Sequence, residues 1–62
     1  MFEKIIAYFG SRAEMARRLS VDPAAVSQWG LYGIPPARAI EIEQITQGDF
    51  KAVDTVGAKN DD

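Results

Sequence analysis

Ser27 and Gln28 are the side chains of this sequence best suited to reading another molecule, and they stand together in Pro23-Ala24-Ala25-Val26-Ser27-Gln28-Trp29. A glutamine carboxamide carries a donor and an acceptor side by side, which matches the N6/N7 edge of adenine with two hydrogen bonds. A serine hydroxyl serves either kind of base-edge group. Ala24, one turn earlier, offers a small apolar contact of the size a thymine methyl fills. On an arbitrary surface the same three residues are ordinary helix formers, so their meaning depends on the element that carries them. A second set complements them. Arg12, Arg17 and Arg38 are guanidinium forks and Tyr32 carries a phenolic hydroxyl, groups that bind phosphate oxygens and position a protein on a duplex without reading its sequence. Arg17 has a bland alternative, a surface pair with an acidic neighbour worth little, and Tyr32 has another, simple packing in a loop. The amides at the starts of the helices that carry Arg12 and Arg38 suit phosphate as well.

Catalysis finds no comparable set. The chain has no histidine and no cysteine, which removes the commonest general base, the thiol nucleophile and the usual nitrogen and sulfur metal ligands. Glu41 and Glu43 are two residues apart and do not face one another on a helix. No glycine-rich loop is present to cradle phosphates. The expectation is a protein that is not an enzyme, with no metal and no cofactor.

The 62 residues carry a net charge of −2, an unpromising balance for a partner of nucleic acid. The distribution is more informative. Residues 1–38 hold Lys4, Arg12, Arg17, Arg18 and Arg38 against Glu3, Glu14 and Asp22, and so are net positive. Residues 39–62 hold Lys51 and Lys59 against Glu41, Glu43, Asp49, Asp54, Asp61 and Asp62. A basic half can bind phosphate through its local potential, with a shallow salt dependence. No apolar run approaches the ~20 residues of a membrane span, and the start Met1-Phe2-Glu3-Lys4 lacks a signal-peptide pattern. The expected setting is the cytoplasm. A chain this short buries only about 60% of its unfolded surface. With no disulfide to help, a partner subunit is the expected supplement.

The elements that must position these residues are helices. Phe2, Ile5, Ile6 and Phe9 form one stripe and predict a helix over 2–9, ended by Gly10. Ser11 with Glu14 is a capping box opening a helix over 12–19, whose inner face is Met15, Ala16 and Leu19. Asp22 as N-cap with Pro23 at the first position opens a third helix over 23–30, with Val26 and Trp29 inward. Trp29 invites a base-stacking role, but its phase makes it core. Gly30 and Gly33 bracket a loop holding Tyr32. A fourth helix over 36–47 buries Ala39, Ile42 and Ile45, leaves Glu41 and Glu43 to solvent, and is capped by Gly48. Phe50, Val53 and Val56, three apart, favour a short fifth helix, although the β-branched Val53, Thr55 and Val56 leave a strand open. Phe50 and Val53 read as core or dimer contacts. The organisation is one domain over 1–56 and a disordered tail over 57–62.

Helices 12–19 and 23–30, joined by a short turn, meet the packing demands of a helix-turn-helix except one. A small residue, Ala16, stands where the second helix crosses the first, Val21 is apolar, and Val26 and Trp29 face inward, but the turn position that calls for a left-handed backbone, usually Gly, is Ser20. On that unit the sequence resembles the short phage Cro repressors and the related YdaS-type Cro-like antitoxins. The resemblance is carried by Phe9-Gly10-Ser11, Ala16-Arg17-Arg18-Leu19-Ser20-Val21, Ala25-Val26-Ser27-Gln28-Trp29, Ile34-Pro35-Pro36, Ile42-Glu43 and Thr46-Gln47-Gly48. Two positions depart from it: Gly30 where relatives often carry a basic residue, and Ser20 in place of Gly. The resemblance implies an all-α, lambda-repressor-like domain of four to five helices. It implies a weak homodimer that binds a pseudo-palindromic double-stranded operator through helix 23–30 in the major groove. The alternative is an antitoxin, or a module that keeps this fold to bind a protein, which the acidic C-terminal half leaves open.

Overall fold

Phe2, Ile5 and Phe9 lie buried along one side of α1 (Phe2–Phe9), the face their spacing requires. The computed structural model describes residues 1–60, and among them every regular element is a helix: α2 (Arg12–Leu19), α3 (Pro23–Tyr32), α4 (Pro36–Ile45) and α5 (Ala52–Thr55). Among the described residues no helix is long and apolar enough to cross a membrane. α2 is the hub, packing on α1, α3 and α4, while α5 packs on α4. Met15, Ala16 and Leu19 of α2 meet Val26 and Trp29 of α3, Ile34 of the following loop, and Ala39 and Ile42 of α4 in one core.

The local stops and starts follow from side-chain chemistry. Ser11 Oγ accepts the Glu14 amide at 3.1 Å, half of the capping box. The other half is replaced, because the Glu14 carboxylate turns to Arg17 on the next turn. Asp22 occupies the N-cap of α3 with Pro23 behind it, yet its side chain makes no capping bond. Between the helices Ser20 takes φ 59° and ψ 43°, the left-handed conformation the tight turn demands, and the Val21 amide closes back on Ala16 O at 2.9 Å. Val21 is half-buried rather than buried.

Three parts of the chain differ from the sequence reading. α3 does not end at residue 30. Gly30 is buried inside it, and the helix runs to Tyr32 before Gly33 turns out at φ 105°. Tyr32 is therefore the last residue of a helix and not part of a loop. α4 ends two residues early, since Gln47 (φ 55°) and Gly48 (φ 88°) unwind it and the Gly48 amide caps Glu43 O at 2.9 Å. Glu43 is half-buried, and its carboxylate accepts the Ala52 amide at 2.8 Å, capping α5.

The third difference is the C-terminal segment. Residues 57–60, expected to belong to a disordered tail, are hydrogen-bonded onto the α3–α4 connection. The Gly57 amide donates to Ile34 O (2.8 Å), the Ile34 amide donates to Ala58 O (3.1 Å), and the Asn60 amide donates to Gly30 O (2.8 Å). Ala58 is buried in the core cluster. The reason is backbone satisfaction. Buried Ile34 sits outside any helix, and its amide and carbonyl need partners, which this segment supplies. Residues 61–62 lie outside the described residues.

Candidate nucleic-acid interface

α3 has two unlike faces. Val26, Trp29 and Gly30 are buried against α2 and the C-terminal segment. Ala24, Ser27 and Gln28 are exposed, and Leu31 extends their row by one turn at 63% exposure. Residues 24, 27, 28 and 31 recur at the spacing of one helix face, so the structure brings the three expected base-reading residues together and adds Leu31. The sequence contained the signal for Leu31 in that same spacing. Reading Gly30 as a helix terminator hid it. Tyr32, at the end of α3, is 80% exposed.

The orientation of this face is held from behind. Ala16 is 1% exposed and Trp29 is 7% exposed. A methyl at 16 lets α3 cross close over α2, and the indole fixes its roll by filling the space beneath. Trp29 is thus a core residue, as its phase required.

The three arginines are not equivalent. Arg17 stands on the outer face of α2, paired with Glu14 three residues before it. Arg38, in the first turn of α4, pairs with Glu41 three residues on. Both pairs are substantially exposed, and such pairs contribute little to stability, so a phosphate can compete for either guanidinium. Arg12 is different. It lies at the first position of α2 on the same helical phase as the core stripe, with its guanidinium 5.7 Å from the Phe2 ring centroid. Glu3 approaches at 3.9 Å, and the Asn60 carboxamide oxygen accepts from Nη2 at 3.4 Å. Arg18, also exposed, lies over the Phe9 ring at 5.7 Å. Pro35 and Pro36 carry no amide hydrogen, so the start of α4 offers phosphate only the amides of Ala37 and Arg38.

Phe50 and Val53 also separate. Phe50 is half-buried, edge-on to Tyr8 with ring centroids 5.8 Å apart, and packs on the core. Val53, on α5, is 80% exposed. Ile40 and Val56 are further exposed apolar side chains, at 52% and 43%. Among the described residues no group of acidic, histidine or cysteine side chains is arranged to hold a metal.

Comparison with known proteins agrees with this architecture. The model of a family described as "DNA-binding transcriptional regulator Cro" matches residues 2–61. The "Regulatory protein cro" of Pseudomonas phage D3 is 36% identical over 56 residues, covering 87% of this chain and 77% of the relative. No solved structure matches the chain significantly. With a small residue at the α2–α3 crossing, a left-handed turn at Ser20 and an exposed polar face on α3, the chain belongs to the Cro family of DNA-binding transcriptional regulators.

Proposed function

We propose that two copies of this chain bind a pseudo-palindromic operator and repress the promoter it overlaps. Each copy lays α3 in the major groove. Gln28 and Ser27 read base edges and Ala24 meets a thymine methyl. Arg12, Arg17, Arg38 and Tyr32 contact phosphates. The observation that carries this reading is the exposed row Ala24, Ser27, Gln28 on a helix whose opposite side is anchored by Val26 and Trp29.

Size supports the use of two copies. Successive major grooves on one face of a duplex are about 34 Å apart, and the longest dimension of this chain is 24 Å. The exposed Val53 on α5, together with the half-buried Phe50, is the surface assigned to the contact between subunits. Selection of duplexes from a random pool tests the whole reading. The expected product is a site with two-fold-related halves. Enrichment of no duplex, or of an unrepeated single half, overturns it.

A further inference from the structure

The geometry points to Asn60 as a positioning residue for DNA binding: seated in the notch left by Gly30, it holds the Arg12 guanidinium ready for a phosphate. The inference rests on the reading of Arg12 as a phosphate contact given above.

Asn60 reaches this place through a built path. Gly57, Ala58 and Asn60 are each hydrogen-bonded to Ile34 or Gly30, so the segment runs as a strap across the back of α3. At Gly30 the strap meets a helix with no side chain in the way. A Cβ there would lie 2.7 Å from Asn60 Oδ1 and 3.0 Å from its Cγ and Nδ2. Glycine inside a helix is unfavourable relative to alanine. In α3 it makes room for one carboxamide. That carboxamide is anchored through its own backbone amide to Gly30 O at 2.8 Å, and it turns its oxygen to Arg12 Nη2 at 3.4 Å.

The chemistry of the acceptor is what makes this a positioning contact. Arg12 stands in the first turn of α2, where the helix dipole disfavours a cation. Glu14 and Glu41 hold Arg17 and Arg38 in direct contact with full carboxylate charges, which a phosphate must displace, whereas at Arg12 the Glu3 carboxylate stands off at 3.9 Å and the hydrogen-bond acceptor is the Asn60 carboxamide. A carboxamide oxygen is neutral. It fixes one guanidinium hydrogen, leaves the positive charge, and leaves other donors in the fork. Immobilising a long side chain before binding removes part of the rotamer entropy that binding would otherwise consume.

A phosphate contact is independent of sequence, so the probe is a mixed-sequence duplex of about 20 base pairs, titrated across a salt series with the full chain. Asn60→Ala is expected to weaken binding about three- to ten-fold, the size of one net hydrogen bond. The same substitution in an Arg12→Ala background is expected to change nothing, because its effect passes through that guanidinium. Gly30→Ala, which evicts the carboxamide while favouring the helix, should reproduce the loss without lowering stability below that of Asn60→Ala. Asn60→Asp gives a sharper contrast: it strengthens the pair with Arg12 yet weakens DNA binding, since its charge opposes the phosphate.

Unchanged affinity for Asn60→Ala overturns the inference. So does a loss that persists undiminished in the Arg12→Ala background, which would assign Asn60 a general structural role. The underlying reading fails separately: if Arg12→Ala leaves the salt slope unaltered, Arg12 touches no phosphate and has no such role to be positioned for.

Discussion

Glu43 and Ala52 are nine residues apart, and the Glu43 carboxylate accepts the Ala52 amide at 2.8 Å, so a side chain of α4 caps the start of α5. α5 has four residues and no capping side chain of its own. A helix that short does not persist by propensity. It exists because α4 supplies its first acceptor and a packing surface. Glu43→Ala should lower unfolding free energy by about 1 kcal/mol, in the range measured for lost N-caps, as read by urea denaturation. An unchanged midpoint would mean that packing alone holds α5.

Ser20 is a second position where sequence and conformation pull against each other. Its φ of 59° costs a residue with a Cβ about 1 kcal/mol relative to glycine. Ser20→Gly should therefore stabilise the domain by roughly 0.5–1 kcal/mol, with no change in DNA affinity. Ser20→Val should destabilise it by more, because β-branching worsens the same clash. Thermal unfolding of the pair decides it. If both variants melted with the parent protein, the turn would not constrain the fold.

Gln28 and Arg38 should fail in different ways on DNA. A two-point contact recognises one base pair, so Gln28→Ala should cost about 1–3 kcal/mol on the preferred site and relax the preference at that base. Arg38→Ala should weaken every duplex alike and reduce the salt slope by about one per subunit. Glu41→Gln should move the other way, freeing Arg38 from its partner and tightening binding to all sequences. Titrations on the selected operator and on a single-base variant separate these outcomes. A uniform loss for Gln28→Ala would make that residue a bystander.

Val53 is where a partner subunit should be felt without disturbing the core. At 80% exposure its substitution should leave the folded chain intact, whereas Phe50, packed on Tyr8, serves the fold as well. Val53→Asp should shift the protein toward monomer in sedimentation equilibrium and weaken operator binding, with the unfolding midpoint of the isolated chain unchanged. Monomer–dimer populations identical to those of the parent protein would place the subunit contact elsewhere.

Much of this molecule was legible in local sequence. The stripes Phe2-Ile5-Phe9 and Met15-Ala16-Leu19, the Ser11 cap and the inward Trp29 are each dictated by chemistry within one or two helical turns. The same is true of the exposed row Ala24, Ser27, Gln28, because a helix of known start and phase has known faces. The left-handed Ser20, by contrast, is imposed against its local preference by the packing of α3 on α2. What tertiary structure decided lay beyond that reach. Gly30 reads locally as the end of α3. It lies inside the helix, where Asn60, thirty residues later in the chain, occupies the space a side chain would fill. Tyr32 consequently moves from a loop to a helix end. Residues 57–60 read as a polar tail, yet the amide and carbonyl of buried Ile34 require partners and find them there. Arg12, Arg17 and Arg38 look alike as cations in sequence. They differ because two of them meet a carboxylate within their own helix and the third meets a phenyl ring, a carboxylate and a carboxamide brought from both ends of the chain. A helix face follows from nearest neighbours along the chain, but the partner of a buried polar group or a guanidinium follows from which distant segments the core draws together.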